Sequence, residues 1–311
     1  MQIQNAWKNL TVRVLLLLIG LVAFSAAALA QVTVAQISDT HIADKHAPHA
    51  AENLRHAVDM INDRHPDAVI LSGDVGENPR AWEDARSILK GLHAPLYYVP
   101  GNHDVHSSDV ERYRNVFGKD YYSFRVKDVT FVVIDSQLLG NYDVYDAKQP
   151  TPLPESTQEQ SEKMLQWLAT AGSNAVSEED AGGGKKDHKE KSDRDEGRGH
   201  SDNEGPGHIV IGVQHIPVFH DGRFPDAKPY WVVSEPYRSQ EMKLLHQLGI
   251  RDMLVGHWHS GRVFEREGIT WHVAPSTAWL PWGGELGFAM HTITPDGKVR
   301  TEFVSLPGAR P

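Results

Sequence analysis

The chain has 311 residues, 40% of them hydrophobic and with eight tryptophans, which is enough apolar material for a substantial core in one large domain or two small ones. A formal charge of −10 with no basic stripe argues against a nucleic-acid surface, because phosphate backbones call for concentrated Lys and Arg. Cysteine is absent, which excludes disulfides, thiolate nucleophiles and Cys-based zinc sites together.

At the N-terminus, Lys8 and Arg13 precede an apolar run over 14–24, and small residues close the segment at Ala28-Leu29-Ala30. That order of charged, apolar and A-x-A regions predicts a secretory signal peptide over residues 1–30, cleaved after Ala30. The alternative is a membrane anchor, but the unbroken run is shorter than the roughly 20 residues a spanning helix needs. The expected mature chain has no membrane span and works outside the cytoplasm, in the periplasm or beyond the cell.

The mature chain opens on a predicted strand at 32–37. A helix follows, with Leu54, Val58 and Ile61 at helical spacing and Pro66 as its stop. Then come a short apolar strand at 68–71, a helix around Trp82, Ala85, Ile88 and Leu89, and a strand at 96–99 ending in Pro100-Gly101. This alternation with short links is the pattern of parallel strands under helical cover. Alternating stretches at 121–126 and 130–134 predict a hairpin turned at Lys127-Asp128, and a helix carrying Met164, Leu165 and Leu168 comes next. Further strands are predicted at 209–213, 253–255, 269–273, 288–294 and 299–304, the last two joined by the turn Pro295-Asp296-Gly297. The whole predicts two sheets packed together with helices outside. Residues 172–207 hold almost no large apolar side chain and cannot offset the entropy of ordering, so they are expected to form a disordered, low-complexity insertion. The sharper alternative there is metal capture by His188 and His200 among the carboxylates.

Five motifs fall at predicted strand ends: Asp39-Thr40-His41, Gly73-Asp74, Gly101-Asn102-His103-Asp104, Gln214-His215 and Gly256-His257-Trp258-His259. The carboxyl ends of strands line the ligand crevice of α/β sheets, so these distant residues should converge. They offer carboxylates, imidazoles and one Asn carbonyl without sulfur, a donor set suited to Mn, Fe, Zn or similar ions. Singly, a Gly-Asp pair is usually a turn and an Asp-x-His is usually solvated surface. The ordered set of five is what points to metal.

Those motifs, running from Asp39 to His259, resemble the calcineurin-like metallophosphoesterase superfamily. The stretches 113–124 and 214–219 are similar to a narrower branch, the calcineurin-like phosphoesterase domain-containing proteins, whose animal members are described as serine/threonine protein phosphatases. The resemblance implies an α/β fold, a four-layer αββα sandwich of two mixed sheets with flanking helices, over residues 31–311. It also implies two divalent or trivalent metal ions, with Asp39, His41 and His259 on the first, Asn102, His215 and His257 on the second, and Asp74 bridging both. His103 would face a phosphate-ester substrate as proton donor, with Asp104 orienting its imidazole. Purple acid phosphatases of the same superfamily carry a tyrosine three residues after the bridging aspartate. Here that position is Glu77, so no tyrosinate colour is expected.

The implied reaction is phosphomonoester hydrolysis on a phosphorylated protein or small molecule. Its rivals are a phosphodiesterase or nucleotide pyrophosphohydrolase with the same metals, and a non-catalytic binding protein on a degenerate site. The presence of every proposed ligand opposes the last. Asn78, Arg80, His220, Asp221 and Arg223 either reach substrate or belong to ordinary loops. His272 reads as a satisfied strand residue, and Trp258, Trp279 and Trp282 either wall the pocket or pack in the core.

Overall fold

The computed structural model describes residues 31–105, 110–174, 209–222, 228–281 and 283–311. The expected signal segment, the expected insertion from 175 on, His188, His200, Arg223 and Trp282 lie outside these residues.

Two sheets carry the fold. The first has the order β11-β10-β1-β2-β3 and contains β1 (Val32–Ile37), β2 (Ala68–Ser72), β3 (Leu96–Val99), β10 (Gly287–Ile293) and β11 (Val299–Ser305). Its β1, β2 and β3 are parallel, while β10 pairs antiparallel with both β1 and β11. The second has the order β4-β5-β6-β7-β9-β8 and contains β4 (Tyr122–Val126), β5 (Val129–Val133), β6 (Ile209–Val213), β7 (Asp252–Val255), β8 (Arg262–Arg266) and β9 (Ile269–Val273). Here β5, β6, β7 and β9 run parallel, and β4 and β8 add antiparallel edges. Both sheets are therefore mixed, as the resemblance implied.

Side-chain alternation separates the layers. In β1 and β2, Val32, Val34, Ala68 and Ile70 meet Phe131, Val133, Ile211 and Leu254 between the sheets. Their neighbours Ala35, Ile37, Val69 and Leu71 face α1 (Ala50–Arg64) and α2 (Pro79–Leu89), through Leu54, Val58, Ile61 and Trp82. On the far side, Val132, Ile134, Met253 and Val255 pack against α3 (Val110–Phe117), α4 (Glu155–Asn174) and α5 (Tyr237–Gln247). Burial on two faces explains why the central strands read as near-continuous apolar runs. The result is the four-layer αββα sandwich.

Three elements were absent from the sequence reading: α3, α5 and the edge strand β8. The helix predicted around Met164 also continues to Asn174, into the stretch expected to be an insertion. Among the described residues, no helix is long and apolar enough to cross a membrane.

One polar row crosses the layer between the sheets. Gln36 Nε2 donates to Ser72 Oγ (2.8 Å) and to Val255 O in the second sheet (3.0 Å), and Gln36 Oε1 meets His291 Nε2 (2.9 Å). Thr301 Oγ1 links His291 Nδ1 (2.9 Å) to His272 Nδ1 (2.7 Å), and His272 Nε2 ends the row on Asp252 (2.9 Å). His272 is thus a satisfied strand residue, as expected.

A second buried polar group is Glu241 of α5, which is fully buried. Burial pushes its carboxyl up to about 8, against the opposing pull of Gln214. The fold favours the neutral acid. Its contribution is therefore complete below the ordinary value of 4.5 and is lost as pH rises through about 8. Glu241→Gln should flatten this dependence, so that the variant gains on the wild type between pH 5 and pH 8 by on the order of 2–4 kcal/mol. Urea unfolding of metal-free protein at both pH values checks the sign.

Candidate metal centre

The parallel strands of both sheets end on one edge, and five of them deliver donors there. Asp39 and His41 follow β1, Asp74 follows β2, Asn102 and His103 follow β3, His215 follows β6, and His257 and His259 follow β7. All are buried except His103, whose side chain is 25% exposed. Asp39, His41, Asp74, His257 and His259 hold positive φ of 53°, 38°, 54°, 70° and 55°. For non-glycine residues such backbone costs about 1–3 kcal/mol each and persists only where the surroundings enforce it. Gly73 (φ 95°) lets the chain turn, and a Cβ there would lie 2.4 Å from His215 Nδ1. At Gly101 a Cβ would lie 2.2 Å from Asp74 Oδ1. The close approaches of these loops therefore require glycine.

The donors fall into two groups that share Asp74. Asp39, His41, Asp74 and His259 have ligand atoms within 4.8 Å of one another, and so do Asp74, His215 and His257. Asp74 Oδ1 accepts from the His103 amide (2.8 Å), while Oδ2 lies 3.5 Å from His41 Nε2 and 3.2 Å from His215 Nε2. Asp39 Oδ2 accepts from the His257 amide (3.1 Å) and from Ser38 Oγ (2.5 Å), which leaves Oδ1 facing His259 Nε2 at 3.2 Å.

Outer contacts set the imidazole tautomers. His215 Nδ1 donates to Ser72 O (2.6 Å), His257 Nε2 to Tyr230 O (2.9 Å) and His259 Nδ1 to Trp279 O (2.9 Å). A carbonyl can only accept, so each neutral ring turns its other nitrogen inward as a lone pair. His41 Nδ1 donates likewise to Glu77 Oε1 (2.9 Å). As a result His41 Nε2 and His259 Nε2 face each other at 3.1 Å as two acceptors. That arrangement is repulsive unless a proton or cation lies between them. Asp39 Oδ1, Asn102 Oδ1 and His215 Nε2 are also buried without a hydrogen-bond partner among the described residues. Unsatisfied acceptors of this kind are costly on their own and are the ones a pair of cations would satisfy, so the residues fit the metals that the motifs imply.

Without a cation the cluster takes up a proton in its place: against burial, Asp74 and Asp39 raise His215 to about 9. Burial alone would raise Asp39, but His259 and His215 hold it down to about 2. Asp74 is held well below its ordinary value in the same way, against burial, by His215, His103 and His41. Burial and the neighbouring His215 push His257 down to about 3, which keeps its ring neutral.

The proton-donor assignment needs one correction. Asp104 does not orient the His103 ring: its oxygens accept from the amides of Val75 (2.9 Å) and Gly101 (3.0 Å) and so tie the β2 and β3 turns together. The ring partner is Glu77, whose Oε2 meets His103 Nδ1 at 3.0 Å while Oε1 holds His41. The resemblance implied Asp104 in that role, but both its oxygens are taken by the two turn amides. In the sequence Glu77 is marked only by standing where purple acid phosphatases carry tyrosine. Tyr230 was not anticipated at all, yet its hydroxyl accepts from Asn102 Nδ2 (3.2 Å).

Of the lesser candidates, Asn78 caps α2 by accepting from Ala81 N (3.0 Å), and Arg80 lies exposed beside Glu83 and Asp84. Asp221 pairs with Arg262 (2.5 Å), and His220 stacks on the buried Trp258 (5.1 Å between ring centroids). Trp279 stands edge-on to His259 at 4.8 Å and walls the cluster.

Against burial, Asp74 and Glu77 raise His103 to about 10. In metal-free protein, Glu77→Gln should therefore bring the His103 titration down toward neutral pH. Imidazole nitrogen NMR shifts followed against pH report this directly.

Comparison with known proteins agrees with the architecture. Residues 32–261 match the family described as calcineurin-like phosphoesterase. The chain is 27% identical over 222 residues to the bovine (Bos taurus) serine/threonine-protein phosphatase CPPED1, an alignment covering 67% of this chain and 58% of that protein. It thus spans a little over half the length of such curated relatives. A 59-residue segment is 48% identical to a probable cyclic nucleotide phosphodiesterase of Rhodopseudomonas palustris, covering 17% of this chain and 21% of that one. In three dimensions the protein is similar to a dimetal phosphatase from Danio rerio, with a TM-score of 0.57 at 15% identity over 88% of this chain and 96% of that one. With its family match covering residues 32–261, from β1 through the last of the proposed donors, the chain belongs to the calcineurin-like phosphoesterase family.

Proposed function

We propose that the protein is a dinuclear-metal phosphoric ester hydrolase acting as a phosphomonoesterase. The observation that carries this reading is the single carboxylate of Asp74 standing between two donor groups, with His103 at their exposed rim. Asp39, His41 and His259 would hold one ion, Asn102, His215 and His257 the other, and Asp74 both. Bound there, two cations supply a water-derived nucleophile at neutral pH and neutralise charge on the phosphoryl oxygens.

The chain's own residues do the rest. Glu77 engages His103 Nδ1, which leaves Nε2–H as the proton to be passed to the departing alkoxide oxygen. By accepting at Nδ1, the Glu77 carboxylate favours the protonated ring. The Asp104 bridge between the two turns holds His103 at a fixed distance from Asp74.

A diesterase is the second reading, favoured by the local identity to the Rhodopseudomonas protein. Comparing p-nitrophenyl phosphate with its bis ester separates the two: faster cleavage of the bis ester would displace the monoesterase assignment. We also read residues 1–30 as an export signal, supported by the Lys8/Arg13, apolar and Ala28-Leu29-Ala30 order. N-terminal sequencing of protein recovered from a periplasmic or extracellular fraction should begin at Gln31, and retention of Met1 would refute export by this route.

His103→Ala should retain both metals by elemental analysis yet lose roughly 10²–10⁴-fold activity on esters with poor leaving groups. Asp74→Asn should lower the metal content itself. Metal loss in the His103 variant would overturn its assignment as proton donor.

A further inference from the structure

Beyond the shared Asp74, two of the three donors proposed for the second ion hang on one residue. Tyr230 lies on the short 3-10 turn Pro229–Trp231, between β6 and α5. Its backbone carbonyl accepts from His257 Nε2 (2.9 Å), and its hydroxyl accepts from Asn102 Nδ2 (3.2 Å). His257 follows β7 of the second sheet, whereas Asn102 follows β3 of the first. Tyr230 therefore joins two donors that come from different sheets. The imidazoles proposed for the first ion have other holders: Glu77 takes His41 Nδ1 and the Trp279 carbonyl takes His259 Nδ1.

The hydroxyl contact matters because of what an amide can present. A side-chain amide offers either its oxygen or its NH2 group, and only the oxygen can bind a cation. With Nδ2 engaged by Tyr230, Asn102 Oδ1 remains buried with no hydrogen-bond partner among the described residues. That is the state a cation would complete.

The turn itself is held from two directions. Trp231 O accepts from Trp258 Nε1 (3.0 Å), and the Val233 amide donates to Pro217 O (3.0 Å). Those bonds tie it to the loops that carry His257 and His215. On its outer side the Tyr145 ring, which is 52% exposed, stands edge-on to Tyr230 at 5.1 Å and to Trp231 at 5.7 Å. Lys228 Nζ lies over the Tyr145 ring at 4.7 Å and pairs with Asp146 at 2.7 Å.

We propose that Tyr230 is the positioning residue of the second ion site: it fixes the Asn102 amide with its oxygen free for the cation, and Tyr145 supports it from the surface. The proposal rests on the dinuclear reading of the donor cluster. The two ions then answer to different outer residues, so the second can be weakened with the first in place.

The test titrates zinc into metal-free full chain and follows the imidazole nitrogens by NMR. His259 reports the first ion and His257 the second. Tyr230→Phe removes the hydroxyl and keeps the carbonyl, so His257 retains its own tether. The variant should raise the zinc concentration at the His257 midpoint by roughly 10–100-fold while the His259 midpoint stays within about threefold of wild type. Tyr145→Ala removes only the outer ring and should move the His257 midpoint by about threefold in the same direction. It carries the test if Tyr230→Phe does not fold. Equal movement of both midpoints, or a His257 midpoint that neither variant moves, overturns the proposal. A wild type in which neither imidazole responds to zinc removes the dinuclear reading and this assignment with it. If the midpoints separate as expected and no phosphate ester is cleaved, Tyr230 keeps its role and the hydrolase reading falls.

Discussion

The arrangement turns on one carboxylate held between rings that belong to different sheets. Asp74 rises from the first sheet, His41 approaches it from the same sheet, and His215 approaches from the second. No single strand could present these atoms to one another. They meet because parallel strands in both sheets end on a common edge, and because Gly73 and Gly101 let the loops close to within side-chain contact. The double layer of buried strands is what holds that edge still.

The surroundings of the donors prepare them for a positive charge. Carbonyls of Ser72, Tyr230 and Trp279 take the outward hydrogens of three imidazoles, and Glu77 takes that of a fourth. The inward lone pairs are then crowded against each other and against Asp39 and Asp74. Without a cation this costs electrostatic energy, and the left-handed backbone at the same positions adds conformational cost. The remaining fold has to supply that energy from packing, which fits the extent of burial on both faces of β1, β2, β6 and β7.

Much of this could be read from the chain itself, for a physical reason. Strands buried on both faces become apolar runs, and a loop that must turn sharply into a ligand carries Gly, Asp or His directly after the run. That coincidence made Asp39, Asp74, Asn102, His215 and His257 visible. Elements without such a signal were not visible. In α5 the buried set is Glu241, Met242 and Leu245, so a charged residue occupies a core position and blurs the helical periodicity. Strand β8 lies at a sheet edge, and its side chains are half-buried or exposed. Glu77 and Tyr230 act through contacts set by tertiary geometry. Their roles depend on where a turn after β2 and a short 3-10 turn before α5 come to rest, which composition and spacing do not encode.

The hydrogen-bonded row from Gln36 to Asp252 has a consequence for the relation between the two sheets. Apolar side chains facing each other across a layer tolerate sliding, because one methyl group replaces another at little loss. A directional chain of amide, imidazole and hydroxyl does not, since a shift of one strand residue would point each partner at hydrocarbon. Gln36 lies three positions before Asp39, and Val255, which it engages across the layer, lies two before His257. The row therefore acts as a key that indexes one half of the centre against the other, so that ligands borne by separate sheets stay aligned while the packing around them breathes.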